Sequence, residues 1–432
     1  MSHQLAIEHD VIGVGFGPSN LALAIALDEC AKRSRLKCAP LFVEKQPHFT
    51  WHGGMLLPGS DMQISFLKDL VSLRDPTSPF TFVNYLHKRG RLLDFINCRT
   101  FHPSRIEFND YLQWVASHFK SQAAYGETIV AIEPVTAGQM VTSLRVHSRS
   151  LTGGETVRLA RNLVVAVGGQ PYVPQVFARA ADDGRLLHSS RYLDLIDRVV
   201  PRGRAVRVAI VGGGQSATEV TVDLHGRCPE AKIDLIFRGH ALKPSDSSPF
   251  VNEIFNPDYT DFVYGQPAER RDAIVRNFRN TNYAVVDSDL LDQLYRLLYQ
   301  QRVGGDEAIV LRPRSEVTTV DPVTDGIEIG LFDKFRGESR RSTYDVVILA
   351  TGYDRETPHG FLEPIRRYIR DGVLDRSYRL VTSPAFRPEI HLQGYSESSH
   401  GLSDTLLSVL AVRSQEIAES LLSTISRREL IA

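Results

Sequence analysis

Residues 10–20, reading DVIGVGFGPSN, constrain this chain more than any other stretch. Val11 and Ile12 end an apolar strand, and Gly13, Gly15 and Gly17 make a turn. Leu21, Leu23, Ile25 and Leu27 then begin an apolar helix. Strand, glycine turn and helix, in that order, are the fingerprint of a dinucleotide-binding unit. Glycine lets the backbone approach a pyrophosphate, and the helix N-terminus offers unpaired N–H groups to its charge. The third glycine position holds Pro18 instead, which suits a first helical turn.

A glycine turn alone is weak support, because any tight turn uses glycine. Three other stretches strengthen it. Residues 40–44 read as a second strand ending in Glu44, where an acid would accept ribose hydroxyls. A second fingerprint occupies residues 208–217, with Gly212, Gly214 and Ala217 in its three positions. Residues 345–354, DVVILATGYD, form a buried-type strand that runs into a turn of small residues. Two dinucleotide sites make a flavin plus a nicotinamide nucleotide the economical reading. One cofactor beside a duplicated but empty fold is the alternative.

A length of 432 residues predicts two or three domains. The content of 42% hydrophobic and 23% charged residues is that of a soluble globular chain. A net charge of −1 argues against partners held by bulk electrostatics, so neither nucleic acid nor a membrane surface is expected. No apolar run is long enough to span a bilayer, and the first residues lack the layout of a signal peptide. A cytoplasmic protein is the expectation. Cys30, Cys38, Cys98 and Cys228 form no C-x-x-C pair, which removes metal-ribbon and dithiol-redox readings, and no metal is expected.

Between the fingerprints, Trp51 and His52 lie in an irregular loop rich in aromatics and glycine. Trp51 suits packing near a flat ring or a plain core role. Lys68, set among apolar residues, either sits partly buried beside an anion or snorkels outward. Ser104 and Glu107 form a capping box before a helix. Strands follow, the last of them near residue 165 resembling a return to the first nucleotide domain. Arg238 ends the second strand of the second unit, where an arginine suits the 2′-phosphate of NADP and an acid would suit NAD. A solvated strand-end arginine is the plain alternative. Residues 244–300 turn polar and aromatic and read as an insertion that shapes a substrate pocket. The basic run 336–341 reads as a solvated hairpin tip, and residues 345–353 as the return to the first domain. Near the end, a helix is expected to start immediately after His400-Gly401-Leu402, capped by Ser403 or Asp404. It either aims its N–H groups at a reduced flavin ring or is an ordinary capped helix.

The expected architecture is α/β, with two Rossmann-like dinucleotide-binding domains and a small, mainly helical substrate-binding insertion. The FAD domain is assigned residues 1–200 and 345–432, the NADPH domain 201–243 and 301–344, and the insertion 244–300.

The order of motifs resembles the flavin-dependent N-hydroxylating monooxygenases of siderophore biosynthesis, above all the L-ornithine N5-monooxygenases. The matching stretches are residues 13–21 (GVGFGPSNL), 62–70 (MQISFLKDL), 213–217 (GGQSA), 280–283 (NTNY), 350–353 (ATGY) and 400–408 (HGLSDTLLS). Pro18 in the third glycine position is what this family has.

The resemblance implies FAD, NADPH, oxygen and L-ornithine, with hydroxylation passing through a C4a-hydroperoxyflavin. It implies that Lys68 pairs with the substrate carboxylate and that Asn252 contacts the same end. Asn282 would join substrate to the nicotinamide ribose, and Gln63 would lie over the flavin. Leu406 and Ser408 would face the terminal amine. Arg105 and Arg238 would hold the NADPH adenine and 2′-phosphate, with Gln215 and Ser216 at its pyrophosphate. Gly13, Gly15, Gly17, Pro18, Glu44, Trp51, His52, His400, Gly401 and Leu402 complete the expected cofactor residues. A homo-oligomer, a tetramer, is implied by the resemblance alone. No residue acts as a dedicated base for the amine, whose pKa desolvation would lower instead. L-lysine as substrate, another flavin monooxygenase acting on sulfides or ketones, and a non-catalytic flavin/NADPH redox sensor are the competing readings.

Overall fold

The computed structural model describes residues 8–355 and 360–429. β1 (Glu8–Val14) lies inside a seven-stranded sheet, and its last four residues are buried. Parallel strands need cover on both faces, which is why this run is continuously apolar apart from Gly13. Its parallel neighbours are β2 (Pro40–Glu44) and the strand Glu155–Val165. Beyond that strand the sheet turns antiparallel, through Met140–Ser150 to Glu127–Ala137. On one face α1 (Pro18–Ser34), buried from Asn20 through Leu27, packs on the C-terminal helix Leu410–Glu429.

A second sheet has five parallel strands in the order Ile309–Arg312, Lys232–Ile236, Arg207–Val211, Val346–Leu349, Leu186–His188. An antiparallel sheet of Ser315–Val323, Gly326–Asp333 and Glu338–Tyr344 accompanies it. Arg336 falls in the turn between the last two strands.

The boundaries differ from those expected. Val346–Leu349 does not return to the first domain; it pairs with Arg207–Val211 inside the second sheet. Its four residues are all buried, and a strand apolar on both faces fits any interior position of either sheet. Leu186–His188 pairs on its other side. The strands of this second sheet therefore begin at Leu186 and end at Leu349, outside the expected segments 201–243 and 301–344 at both ends. The chain regains the first sheet at Ile390–Leu392, beside Leu163 to Val165.

The insertion is helical: Pro249–Asn252, Pro257–Tyr264, Ala268–Phe278 and Ser288–Gly304. The last packs on Gln215–Arg227, and the middle two pack on the short helix Glu397–His400 of the first unit. The C-terminal helix also starts later than expected. Residues 402–405 and 407–409 are 3-10 turns, and the α-helix begins at Leu410. Asp404 does not cap it. Its carboxylate accepts from Ser396 N at 2.6 Å and from Arg413 at 2.8 Å.

At the point of return to the first sheet, the buried Glu389 carboxylate accepts from Arg379 and Thr424, each at 2.8 Å, and faces His391 at 3.3 Å. Burial pushes its pKa up, but the bonds from His391 and Thr424 and the Arg379 charge outweigh that and hold it at about 2. A depressed carboxylate contributes stability above its ordinary pKa near 4.5 that is lost as pH falls toward 2. Glu389→Gln should therefore cost on the order of 2–3 kcal/mol at pH 7 and clearly less at pH 3. Urea unfolding at the two pH values measures this, and equal losses would contradict the assignment.

Candidate active site

The first glycine turn is built by close approach. A side chain on Gly13 would strike the Phe42 ring at 2.3 Å, so Gly13 serves strand packing and does not reach the cavity wall. Gly15 has φ +83°, and a Cβ there would meet the Ala166 carbonyl oxygen at 2.7 Å. Nothing lies within 4 Å of a Cβ at Gly17, the N-cap of α1, and no side chain caps that end. With Pro18 at the start, the first-turn N–H groups of α1 have no side-chain acceptor, and there is open space in front of them. Asn20 Nδ2 donates to the Gly15 carbonyl at 2.7 Å and holds the turn from behind. Glu44 accepts from Phe16 N at 2.7 Å and Gln46 N at 2.9 Å, which fixes its carboxylate at the β2 end beside the turn.

The second turn repeats the device. Gly212, at φ +153°, would place a Cβ 2.3 Å from the Ala350 carbonyl oxygen. Gly214 caps the helix Gln215–Arg227 with no side-chain acceptor. Both cradles thus fit dinucleotide pyrophosphates: a backbone that tolerates no side chain and a helix end without a cap.

Both turns open into one continuous cavity of about 3000 Å³. Gly15, Gly17, Pro18, Glu44, Trp51 and His52 line it on the first side. Gly212, Gly214, Gln215, Ser216 and Arg238 line it on the second. Gln63, Lys68, Arg105, Asn252, Asn282, Leu406 and Ser408 reach the same space. Lys68 is half-buried, and burial lowers its ammonium pKa. It has no carboxylate partner among the described residues. Asn252 ends the short helix Pro249–Asn252, its amide donating to Ser247 O at 3.0 Å. Asn282 follows the turn Arg279–Thr281 and is half-buried. Ser408 is buried and Leu406 partly so. Trp51 packs edge-on against His52, ring centroids 4.7 Å apart, and its backbone N–H donates to Asn109.

Besides Gly13, three expected cofactor residues lie off the cavity wall. His400, Gly401 and Leu402 are buried and absent from the cavity wall. The His400 ring stacks on Tyr378 at 4.2 Å and lies 5.0 Å from Tyr264. Burial pushes its pKa down to about 4, so it is neutral at pH 7. Gly401 has φ +92°, and a Cβ there would meet Val263 at 3.4 Å. This turn docks the insertion helix Pro257–Tyr264 on the first unit. Its positive φ calls for glycine here whatever lies beside it.

Sequence reasoning missed a polar junction. Arg105 grips Glu219 with two nitrogens, at 2.7 and 3.1 Å, and donates to the Met55 carbonyl at 3.2 Å. Gln215 donates to Glu219 at 3.0 Å and to the Asp287 carboxylate at 3.3 Å, and it accepts from Asp287 N at 2.9 Å. Gln63 bonds the same Asp287 carboxylate, whose pKa burial raises. Glu219 and Asp287 carried no local signal, since one lies inside an ordinary helix pattern and the other precedes one.

The description "L-lysine 6-monooxygenase/L-ornithine 5-monooxygenase" belongs to the family model that matches residues 7–355. The chain is a member of that family. An L-ornithine N(5)-monooxygenase of Pseudomonas aeruginosa is 50% identical over 96% of this chain and 94% of its own length. The solved ornithine hydroxylase from Pseudomonas aeruginosa superposes with a TM-score of 0.93 at 49% identity, covering 97% of this chain and 100% of that one. An L-lysine 6-monooxygenase structure from Pseudomonas syringae gives a TM-score of 0.85 at 30% identity, covering 96% of this chain and 100% of that one. The two glycine cradles and the cavity between them are therefore features of an N-hydroxylating monooxygenase family member.

The fold of this family member places two charges at the cavity edge almost wholly out of water. Arg413 and Asp404 are paired at 2.8 Å with side chains 1% and 0% exposed. Asp404→Asn would leave the guanidinium buried without its counter-charge, at a cost of about 3–5 kcal/mol. Replacing the pair together by Leu and Met should cost less, because no orphan charge remains. Chemical denaturation of both variants tests this, and a double variant less stable than Asp404→Asn would refute it.

Proposed function

We propose that this chain hydroxylates the side-chain amine of L-ornithine at N5, using NADPH and oxygen with FAD bound. The observation that carries this reading is the joining of both glycine cradles in one cavity faced by Lys68, which has no carboxylate partner among the described residues. The first cradle takes FAD and the second NADPH, while the helical insertion covers the substrate. Bound FAD supplies hydride acceptance and oxygen activation.

The chain's own groups do the positioning. Lys68 takes the α-carboxylate, with Asn252 on the same end. Asn282 bridges substrate and nicotinamide ribose, Gln63 lies over the flavin, and Leu406 and Ser408 face the amine. Arg238, exposed at the end of its strand, is free to meet a 2′-phosphate. Both terminal nitrogens of Arg105 are already held by Glu219, so Arg105 offers the adenine its flat face. Burial around the amine favours its neutral form, which has the lone pair that hydroxylation needs. Excluding water keeps the activated oxygen from being lost.

A cytoplasmic site of action accompanies this reading, since the four cysteines are free, as in a reducing compartment. Among the described residues no helix is long and apolar enough to cross a membrane. A homo-oligomer is also proposed. Tyr295, Tyr299 and Val303 form an exposed apolar stripe along Ser288–Gly304 that a second copy could cover. A monomer mass in sedimentation at micromolar concentration would remove it.

The deciding assay measures hydroxylated amine formed from NADPH, oxygen and FAD, with ornithine and lysine side by side. Ornithine should win; lysine winning would keep the chemistry and overturn the substrate. Lys68→Ala should raise the ornithine KM by the equivalent of about 2–5 kcal/mol while reduction of the flavin by NADPH survives. An unchanged KM would take Lys68 out of the site. In the same assay Asn282→Ala should still consume NADPH but release hydrogen peroxide, and full coupling would refute its role.

A further inference from the structure

Residues 62–80 contain neither helix nor strand, yet they carry Lys68 to the cavity. A long side chain on irregular backbone is aimed only as well as that backbone is held. The neighbouring residue does much of the holding. Asp69 is 3% exposed, and its carboxylate collects four donors. One oxygen accepts from Val71 N at 2.9 Å and Ser72 N at 2.6 Å. The other accepts from Ser72 Oγ at 2.8 Å and Phe82 N at 2.7 Å. The first three bonds close the turn that follows Lys68. The fourth fastens that turn to the first residue of the helix Phe82–Lys88, where an anion is favoured.

Around this carboxylate the backbone is pinned on both sides. Lys68 N donates to Ser65 O at 2.9 Å, Phe66 N to Phe101 O at 2.8 Å, and Leu70 N to the Tyr111 hydroxyl at 3.3 Å. Asp69 makes no ion pair with Lys68 or with any other cation among the described residues. Its negative charge is spent on backbone N–H groups and one hydroxyl. That leaves the adjacent ammonium unneutralised and turned to the cavity.

We propose that Asp69 is a positioning residue for substrate binding: its buried carboxylate fixes the backbone that points Lys68 at the substrate's carboxylate. The inference rests on the reading of Lys68 given above. An amide in place of the carboxylate presents N–H to at least one of the four donors, so the turn loosens while its volume is kept.

Asp69→Asn should raise the ornithine KM roughly tenfold, the scale of one charged hydrogen bond. Its kcat and its ornithine-free reduction of FAD by NADPH should stay near those of the parent. A second variant guards against misfolding: Ser72→Ala removes one donor, keeps the carboxylate, and should move KM the same way by less. The decisive comparison is a cycle with Lys68→Ala. If Asp69 acts through Lys68, Asp69→Asn adds no further KM increase in that background. A lowered melting temperature with parental KM, or KM effects that multiply in the double variant, would overturn the proposal. A Lys68→Ala variant with parental KM would show that the Lys68 reading itself has failed, and the proposal with it.

Discussion

The buried contact between Arg413 and Asp404 holds the active-site cavity in shape. Arg413 donates to the Asp404 carboxylate and backbone carbonyl and also to Ser19 Oγ in the first turn of α1. Asp404 in turn accepts the Ser396 N–H. One guanidinium thereby ties the C-terminal helix, the turns carrying Leu406 and Ser408, and the first glycine cradle into a single body. A pair this deep gains little over apolar side chains in stability alone. What it fixes is the position of one cavity wall relative to the other. The wall proposed to face the substrate's amine is set by the same contact that braces the first glycine cradle.

The second cradle is braced by a different junction. Arg105 begins a helix of the first unit, Glu219 lies on the glycine-loop helix of the second, and Asp287 precedes the last helix of the insertion. Gln215, the first residue of its helix, bonds both acids. Three parts of the chain therefore meet where the NADPH pyrophosphate is proposed to lie. The Arg105–Glu219 pair is bidentate and mostly buried, so it is geometrically more exacting than a surface pair. Gln63 shares the Asp287 carboxylate, so the loop proposed to cover the flavin and the helix proposed to hold NADPH are held by one group.

Turn chemistry was legible in the sequence because it is local. Gly15 and Gly212 need conformations that other residues resist, and the residues around them announce a strand before and a helix after. The capping box is equally local, and Ser104 accepts the Glu107 N–H at 3.1 Å. Sheet membership was not legible in the same way. Val346–Leu349 is apolar on both faces, and such a strand carries no mark of which sheet it will join. The His400-Gly401-Leu402 turn was ambiguous for a related reason: a glycine required by a positive φ looks the same in the sequence whether or not a cofactor lies beside it. The partners Arg105 and Glu219 stand 114 residues apart, and only the folded chain brings them together.

Lys68 shows how the parts combine into selectivity. Burying an ammonium without a partner is unfavourable, and its lowered pKa registers that cost. A ligand carboxylate removes the cost, because it supplies the missing counter-charge in a site already half out of water. A diamine would bring a second cation to the same place and meet repulsion. A lysine without a carboxylate partner among the described residues, in its proposed role, therefore favours an amino acid over the corresponding diamine before any measure of chain length applies. On the same proposal, chain length is read at the far wall, by the residues that Arg413 and Asp404 hold in place. Discrimination by one methylene in such a pocket is worth only about 1–3 kcal/mol, so it depends on how rigidly that wall is held. On the proposed reading, two buried carboxylates, Asp69 behind Lys68 and Asp404 behind Leu406 and Ser408, brace the two ends of the site.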